Sequence, residues 1–210
     1  MRVLVFGDSI TQGYWDTEGG WVNALRKYYD ERQFTDLQNN NEPTIFNLGI
    51  SADNSSDILE RLEAETVART WQNNLPALIV QIGVNDSCLE DGSPQVSLGQ
   101  YKDNLERIVA MANKFGSGLV FVGSSCCEDS RTNPVVWGEH YYSNAAIKSY
   151  EVAMGEVATK TGTPFIPVFD KFKAVLDKGR DLLPDGLHPN HEGHQVIFEI
   201  VKPELEKCLK

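Results

Sequence analysis

Four short blocks hold the residue types of acyl-transfer chemistry: Gly7-Asp8-Ser9-Ile10, Asn47-Leu48-Gly49, Gly83-Val84-Asn85-Asp86 and Asp185-Gly186-Leu187-His188. A serine hydroxyl becomes a nucleophile when an imidazole beside it takes its proton and later returns that proton to the leaving group. Ser9 and His188 supply such a pair, and Asp185 supplies a carboxylate to accept from the other ring nitrogen and fix the tautomer. The chain order Ser…Asp…His is one of several that build this geometry. Attack on an acyl carbon creates an oxyanion that needs hydrogen-bond donors. The expected donors are the backbone N–H groups of Ser9 and Gly49 and the side-chain amide of Asn85. Asp8 is read as holding the serine turn through backbone N–H groups, and Asp86 as tying down the loop beside Asn85.

Such residues work only if the fold gathers them. Five apolar runs, at 2–7, 44–48, 77–82, 119–123 and 164–168, are rich in Val, Ile, Leu and Phe without polar alternation, as strands buried on both faces are. Helical spacing falls between and after them at 21–34, 57–71, 98–115, 144–161 and 191–209, with Asn54, Ser55 or Ser56 available to cap the second and Asn190 the last. Strand and helix alternate five times, which predicts an α/β chain folded as a three-layer α/β/α sandwich on a five-stranded parallel sheet, with residues 1–210 as a single domain. Ligands of open parallel sheets bind at the carboxyl ends of the strands. Each of the four blocks follows a predicted strand, the last after an intervening helical stretch. Two long connections, 86–97 and 124–143, are candidates for shaping a pocket.

The four blocks, in this order, resemble those of the SGNH hydrolases, also called GDSL esterases and lipases, named for a Ser, Gly, Asn and His in these blocks. Ser9 sits in the serine block with Gly13 following, Gly49 in the glycine block, Asn85 in the G-x-N-D block and His188 in the D-x-x-H block. Ile10 stands where the family name has leucine. The resemblance implies a flavodoxin-like strand order 2-1-3-4-5. It also implies hydrolysis of small-molecule acyl esters, thioesters or acetylated sugars with no cofactor and no metal, with lysophospholipids a further substrate class.

Composition excludes other classes. The net charge of −11 repels nucleic acid and anionic membrane surfaces. No apolar run approaches the roughly 18 residues of a membrane span, so no stable membrane insertion is expected. Met1 and Arg2 lead directly into the first strand with no secretory pattern, which predicts a cytoplasmic protein with free thiols at Cys88, Cys126, Cys127 and Cys208. Oligomeric state leaves no trace in the sequence. His188, His191 and His194 recur every third residue and invite a zinc reading. Pro189 and Asn190 place His188 before the helix, and His191 and His194 read as a solvated first turn, with His194 close enough to pack near the site. A metal-dependent phosphoesterase using Asp8, Asn85, Asp86, Asp185 and His188 is a rival from another class, and a non-catalytic binder a third. Tyr14, Trp15, Trp137, Tyr141 and Tyr142 either pack loops against the body or wall the substrate site.

Overall fold

A computed structural model of the chain describes residues 1–38, 42–72 and 74–209. The first half runs β1 (Arg2–Gly7), α1 (Ser9–Gln12), α2 (Gly20–Thr35), β2 (Thr44–Gly49), α3 (Ser55–Ala68), β3 (Ala77–Gln81), β4 (Leu89–Glu90) and β5 (Ser93–Pro94). The second runs α4 (Leu98–Phe115), β6 (Leu119–Val122), α5 (Asn144–Thr161), β7 (Phe165–Ile166), α6 (Phe169–Leu176) and α7 (His191–Cys208). The main sheet has the order β2-β1-β3-β6-β7, with every neighbouring pair parallel. Counted by the strands of this sheet alone, that is the expected 2-1-3-4-5. β4 and β5 form a separate antiparallel ribbon.

Alternation along the central strands splits the core into two layers. Val3, Val5 and Ile79 join Trp21 and Leu25 of α2, Phe172 of α6 and Ile197 and Val201 of α7. Leu4, Phe6, Leu78 and Val80 join Ile58 and Leu62 of α3, Leu105 and Ile108 of α4 and Met154 and Val157 of α5. A sheet apolar on both faces requires helices on both, which is the three-layer arrangement. No helix among the described residues is long and apolar enough to cross a membrane.

Three expectations are corrected. The fifth strand is two residues long rather than 164–168, because Pro167 has no N–H to pair and the next N–H groups, of Val168 and Phe169, turn to the Glu151 carboxylate. The helix expected over 57–71 begins earlier and ends at Ala68: Asn54 caps it with a reciprocal Asp57 bond, and Trp71 turns back to pair with Asn74. The β4–β5 ribbon was not foreseen. Its turn residues Asp91 and Gly92 have φ of 49° and 76°, the paired left-handed conformations that a two-residue hairpin of matching twist requires.

Candidate active site

Ser9 opens α1 at the carboxyl end of the interior strand β1. Asp8 caps this short helix, its Oδ1 accepting from the Ile10 N–H at 2.9 Å. Residue 7 must be glycine, since a Cβ there would collide with Thr11 and with the carbonyl of Gln81. Gln81, fully buried at the end of β3, accepts from the Thr11 hydroxyl and the Trp21 indole N–H, both at 2.9 Å, and donates to the Gly123 carbonyl at 3.1 Å. Its amide fastens the serine turn and α2 to the sheet edge.

His188 and Asp185 reach Ser9 from the far end of the chain. Asp185 Oδ1 accepts from the backbone N–H groups of Leu187 (2.9 Å) and His188 (2.8 Å), while Oδ2 lies 2.7 Å from His188 Nδ1. Burial raises the Asp185 pKa, but the hydrogen bonds from His188 and the loop N–H groups outweigh it and bring it down to about 2. An ionised carboxylate only accepts, so His188 Nδ1 bears the proton and Nε2 offers its lone pair to the Ser9 hydroxyl, 2.9 Å away. Arg131 steadies this loop by donating to the carbonyls of Leu183 and Pro184.

Trp15 adds a link that local sequence does not reveal. Its indole N–H donates to Asp185 Oδ2 at 2.6 Å, the same oxygen that receives the imidazole proton. Trp15 adopts φ +66°, a left-handed backbone unusual for a bulky residue. The fully buried His194 supports the preceding residue: its Nδ1 accepts weakly from Trp21 N–H and its Nε2 faces the Tyr14 carbonyl, each at 3.4 Å. Burial pushes the His194 pKa down to about 4, the neutral form this pattern needs. His194 is therefore not solvated but packs behind the site, the other part of its sequence reading, whereas His191 is half exposed and faces Asp16 at 3.1 Å.

The second block is arranged differently from the expectation. The Gly49 N–H is committed to Asn47 Oδ1 at 2.9 Å, so it is not free for an oxyanion. Glycine is needed there because a Cβ would strike the backbone of Gln12. Asn47 also donates to the Thr11 carbonyl at 2.9 Å, tying the block to the serine turn. The chain then continues to Ala52, which faces the pocket beside Ser9 and Asn85 with φ +69°. Gln12 holds this stretch by accepting from the Ser51 N–H and hydroxyl at 2.9 and 2.7 Å. Among the described residues, the N–H groups of Ser9 and Ala52 have no hydrogen-bond acceptor. Asn85 donates one amide hydrogen to the Asp53 carbonyl at 2.9 Å, and its Oδ1 accepts from the Tyr142 hydroxyl at 3.1 Å. Three donors thus remain: two backbone N–H groups and the second hydrogen of the Asn85 amide.

These groups open onto a pocket of about 330 Å³. Tyr14 and Trp137 flank His188, with ring centroids 4.9 and 5.3 Å from the imidazole. Trp15, Trp137 and Tyr142 line the pocket, so the aromatics wall it as well as packing its loops. Asp86 is spent on structure: it accepts from the Ser55 N–H at 3.0 Å, and burial raises its pKa to about 7. Asp8 is likewise raised to about 6 by burial. The acidic residues of the phosphoesterase alternative are therefore occupied separately. Among the described residues, the metal-ligating side chains that do converge are Cys88, Glu90 and His140.

Residues 5–196 match the model of the GDSL-like lipase/acylhydrolase family. A GDSL esterase/lipase of Arabidopsis thaliana is 27% identical over 98% of this chain and 86% of its own length. An arylesterase of Vibrio mimicus is 26% identical over 99% of this chain and 90% of its own length. In solved structures, the fold is shared with a lipase/acylhydrolase of Enterococcus faecalis, with a TM-score of 0.76 at 20% identity, covering 98% of this chain and 95% of that one.

Proposed function

This chain belongs to the GDSL-like lipase/acylhydrolase family and is a carboxylic ester hydrolase, and we propose that it works through an acyl-enzyme on Ser9. The observation that supports this most is the unbroken hydrogen-bond chain Ser9–His188–Asp185, ending in a pocket. In the proposed first step Ser9 Oγ attacks the acyl carbon while His188 Nε2 takes the hydroxyl proton. The tetrahedral oxyanion is met by the N–H groups of Ser9 and Ala52 and by the Asn85 amide. Collapse breaks the ester C–O bond, and His188 gives its proton to the departing alcohol. A water then repeats the sequence against the acyl-serine, releasing the acid and restoring Ser9. Asp185 stays ionised throughout and balances the imidazolium, and Trp15 holds it in place.

The proposed substrate is a small ester with a short acyl chain, taken by the single domain without a cofactor. A pocket of about 330 Å³ is at the small end of ligand sites, and its aromatic walls suit an apolar or aryl alcohol. The similarity to a bacterial arylesterase points the same way. Free thiols at all four cysteines suit a reducing, cytoplasmic setting. The test is kcat/KM for p-nitrophenyl esters from acetyl to palmitoyl, with an acetylated sugar and an acyl thioester alongside. The proposal expects a maximum between acetyl and butyryl. A maximum at palmitoyl overturns the short-chain assignment.

A further inference from the structure

One cluster beside the pocket takes no part in ester cleavage. Leu89 and Tyr141 exchange backbone hydrogen bonds, Leu89 N–H to the Tyr141 carbonyl at 2.9 Å and Tyr141 N–H to the Leu89 carbonyl at 3.2 Å. This pair joins the two long pocket loops as a short antiparallel ladder. Side chains on such a ladder alternate, so the residues flanking the pair on both strands share one side. Cys88 and Glu90 therefore lie together, with His140 across from Glu90. The result is a thiol, a carboxylate and an imidazole whose ligand atoms all lie within 4.8 Å of one another.

The contacts within the cluster leave ligand capacity unused. His140 Nδ1 lies 2.9 Å from Glu90 Oε1, but outside hydrogen-bond geometry, and that buried nitrogen has no other partner among the described residues. Gln95 donates to Glu90 Oε1 at 2.8 Å, which sets the carboxylate without using its second oxygen. Cys88 is fully buried and reduced.

From this juxtaposition we infer that Cys88, Glu90 and His140 bind a borderline-soft divalent cation of the Zn²⁺ type. One sulfur, one nitrogen and one oxygen are a donor set that favours zinc or copper over calcium or magnesium, which take oxygen ligands. Bonds of about 2.0–2.3 Å in a tetrahedral site bring ligand atoms to about 3.4–3.7 Å apart. The ligand atoms lie up to 4.8 Å apart and His140 Nδ1 only 2.9 Å from Glu90 Oε1, so reaching that spacing needs shifts of about 1 Å, on the scale of side-chain rotations at Glu90 and His140. Binding displaces the thiol proton to solvent, so one proton is released as the Cys88–metal bond forms. The fourth position is left to water. Glu90 and His140 line the same pocket as Ser9 and His188, so the bound cation narrows the mouth and pins loop 86–97 to loop 124–143. Occupancy is therefore inhibitory toward ester turnover, and it stabilises the folded chain by mass action.

The test uses the full chain after chelator treatment, with ZnCl₂ as titrant in calorimetry and CaCl₂ in parallel. The expected result is one Zn²⁺ per chain with micromolar Kd, no heat with Ca²⁺, and at least tenfold weaker Zn²⁺ binding in both Cys88→Ser and His140→Ala. His191→Ala, which alters the separate His191–Asp16 pair, should bind as the parent does. His140 is 40% exposed, so its variant tests the idea even if Cys88→Ser fails to fold. A second readout is Tm, expected to rise with Zn²⁺ in the parent and stay level in His140→Ala. Kd weaker than about 1 mM, or unchanged binding in His140→Ala, overturns the inference. Because calorimetry and Tm do not depend on turnover, they test this site independently of the Ser9 mechanism.

Discussion

Replacing Asn85 with alanine removes one proposed oxyanion donor and leaves the Ser9–His188–Asp185 chain intact. The structure explains why the amide is aimed correctly. Its Oδ1 is held by the Tyr142 hydroxyl at 3.1 Å and one amide hydrogen by the Asp53 carbonyl at 2.9 Å. Burial raises the Tyr142 pKa, so the phenol stays a donor and fixes which end of the amide faces the pocket. Loss of one oxyanion donor costs about 2.7–4 kcal/mol, or about 10²–10³ in kcat. The donor engages the tetrahedral state more strongly than the planar ester, so KM should change by less than about threefold. Asn85→Asp should be worse, because its charge opposes the oxyanion. Tyr142→Phe should cost about fivefold by freeing the amide to turn, with one neutral hydrogen bond of about 1 kcal/mol lost. The assay is steady-state hydrolysis of p-nitrophenyl acetate, with Tm measured on each variant. A kcat loss below tenfold in a folded Asn85→Ala protein, or a loss confined to KM, would refute the donor role.

Ala52→Gly should keep kcat within about twofold and stabilise the chain by about 1 kcal/mol in urea unfolding, since glycine relieves the left-handed backbone at φ +69° while keeping the N–H; a drop in stability contradicts the strain. Trp15→Phe keeps a ring in the wall but removes a donor to the charged form of Asp185, so the carboxyl should titrate above its present value of about 2; an unchanged titration by carboxyl NMR contradicts the tether. Asp8 is held by burial at a pKa of about 6 against 3.8 unfolded. At Asp8 the folded state then binds more protons between those values, and the Asp8 contribution to stability falls as pH rises through that window by about 3 kcal/mol before levelling. Asp8→Asn should therefore gain on the parent between pH 4 and pH 7, and parallel pH–stability curves would contradict the assignment.

Much of this arrangement is legible in the sequence because it is local or periodic. The apolar run of β1 announces a doubly buried strand, and the chemistry-bearing blocks follow strand ends, where a parallel sheet gathers its loops. Asn190 marks a helix start that the structure keeps, and Asn54 is the one of three offered caps that the structure uses. The β4–β5 ribbon escapes notice because its strands are two residues each, too short to show any alternation beside the Asp91-Gly92 turn. What is not legible depends on contacts between distant segments. Nothing near Gly49 indicates that Asn47 takes its N–H, or that Ala52 turns left-handed and presents its own. The Trp15–Asp185 bond spans nearly the whole chain. The burial of His194 and Gln81 follows from how α2 and α7 close over the sheet edge, and a histidine in a first helical turn carries no sign of it.

The most direct test of the central claim is covalent labelling of the parent and Ser9→Ala proteins with a fluorophosphonate, read by intact mass and peptide mapping. One adduct per chain is expected, on Ser9, formed in parallel with loss of esterase activity and absent from Ser9→Ala. An adduct that persists in folded Ser9→Ala, or that maps to another residue while activity is lost, would contradict it.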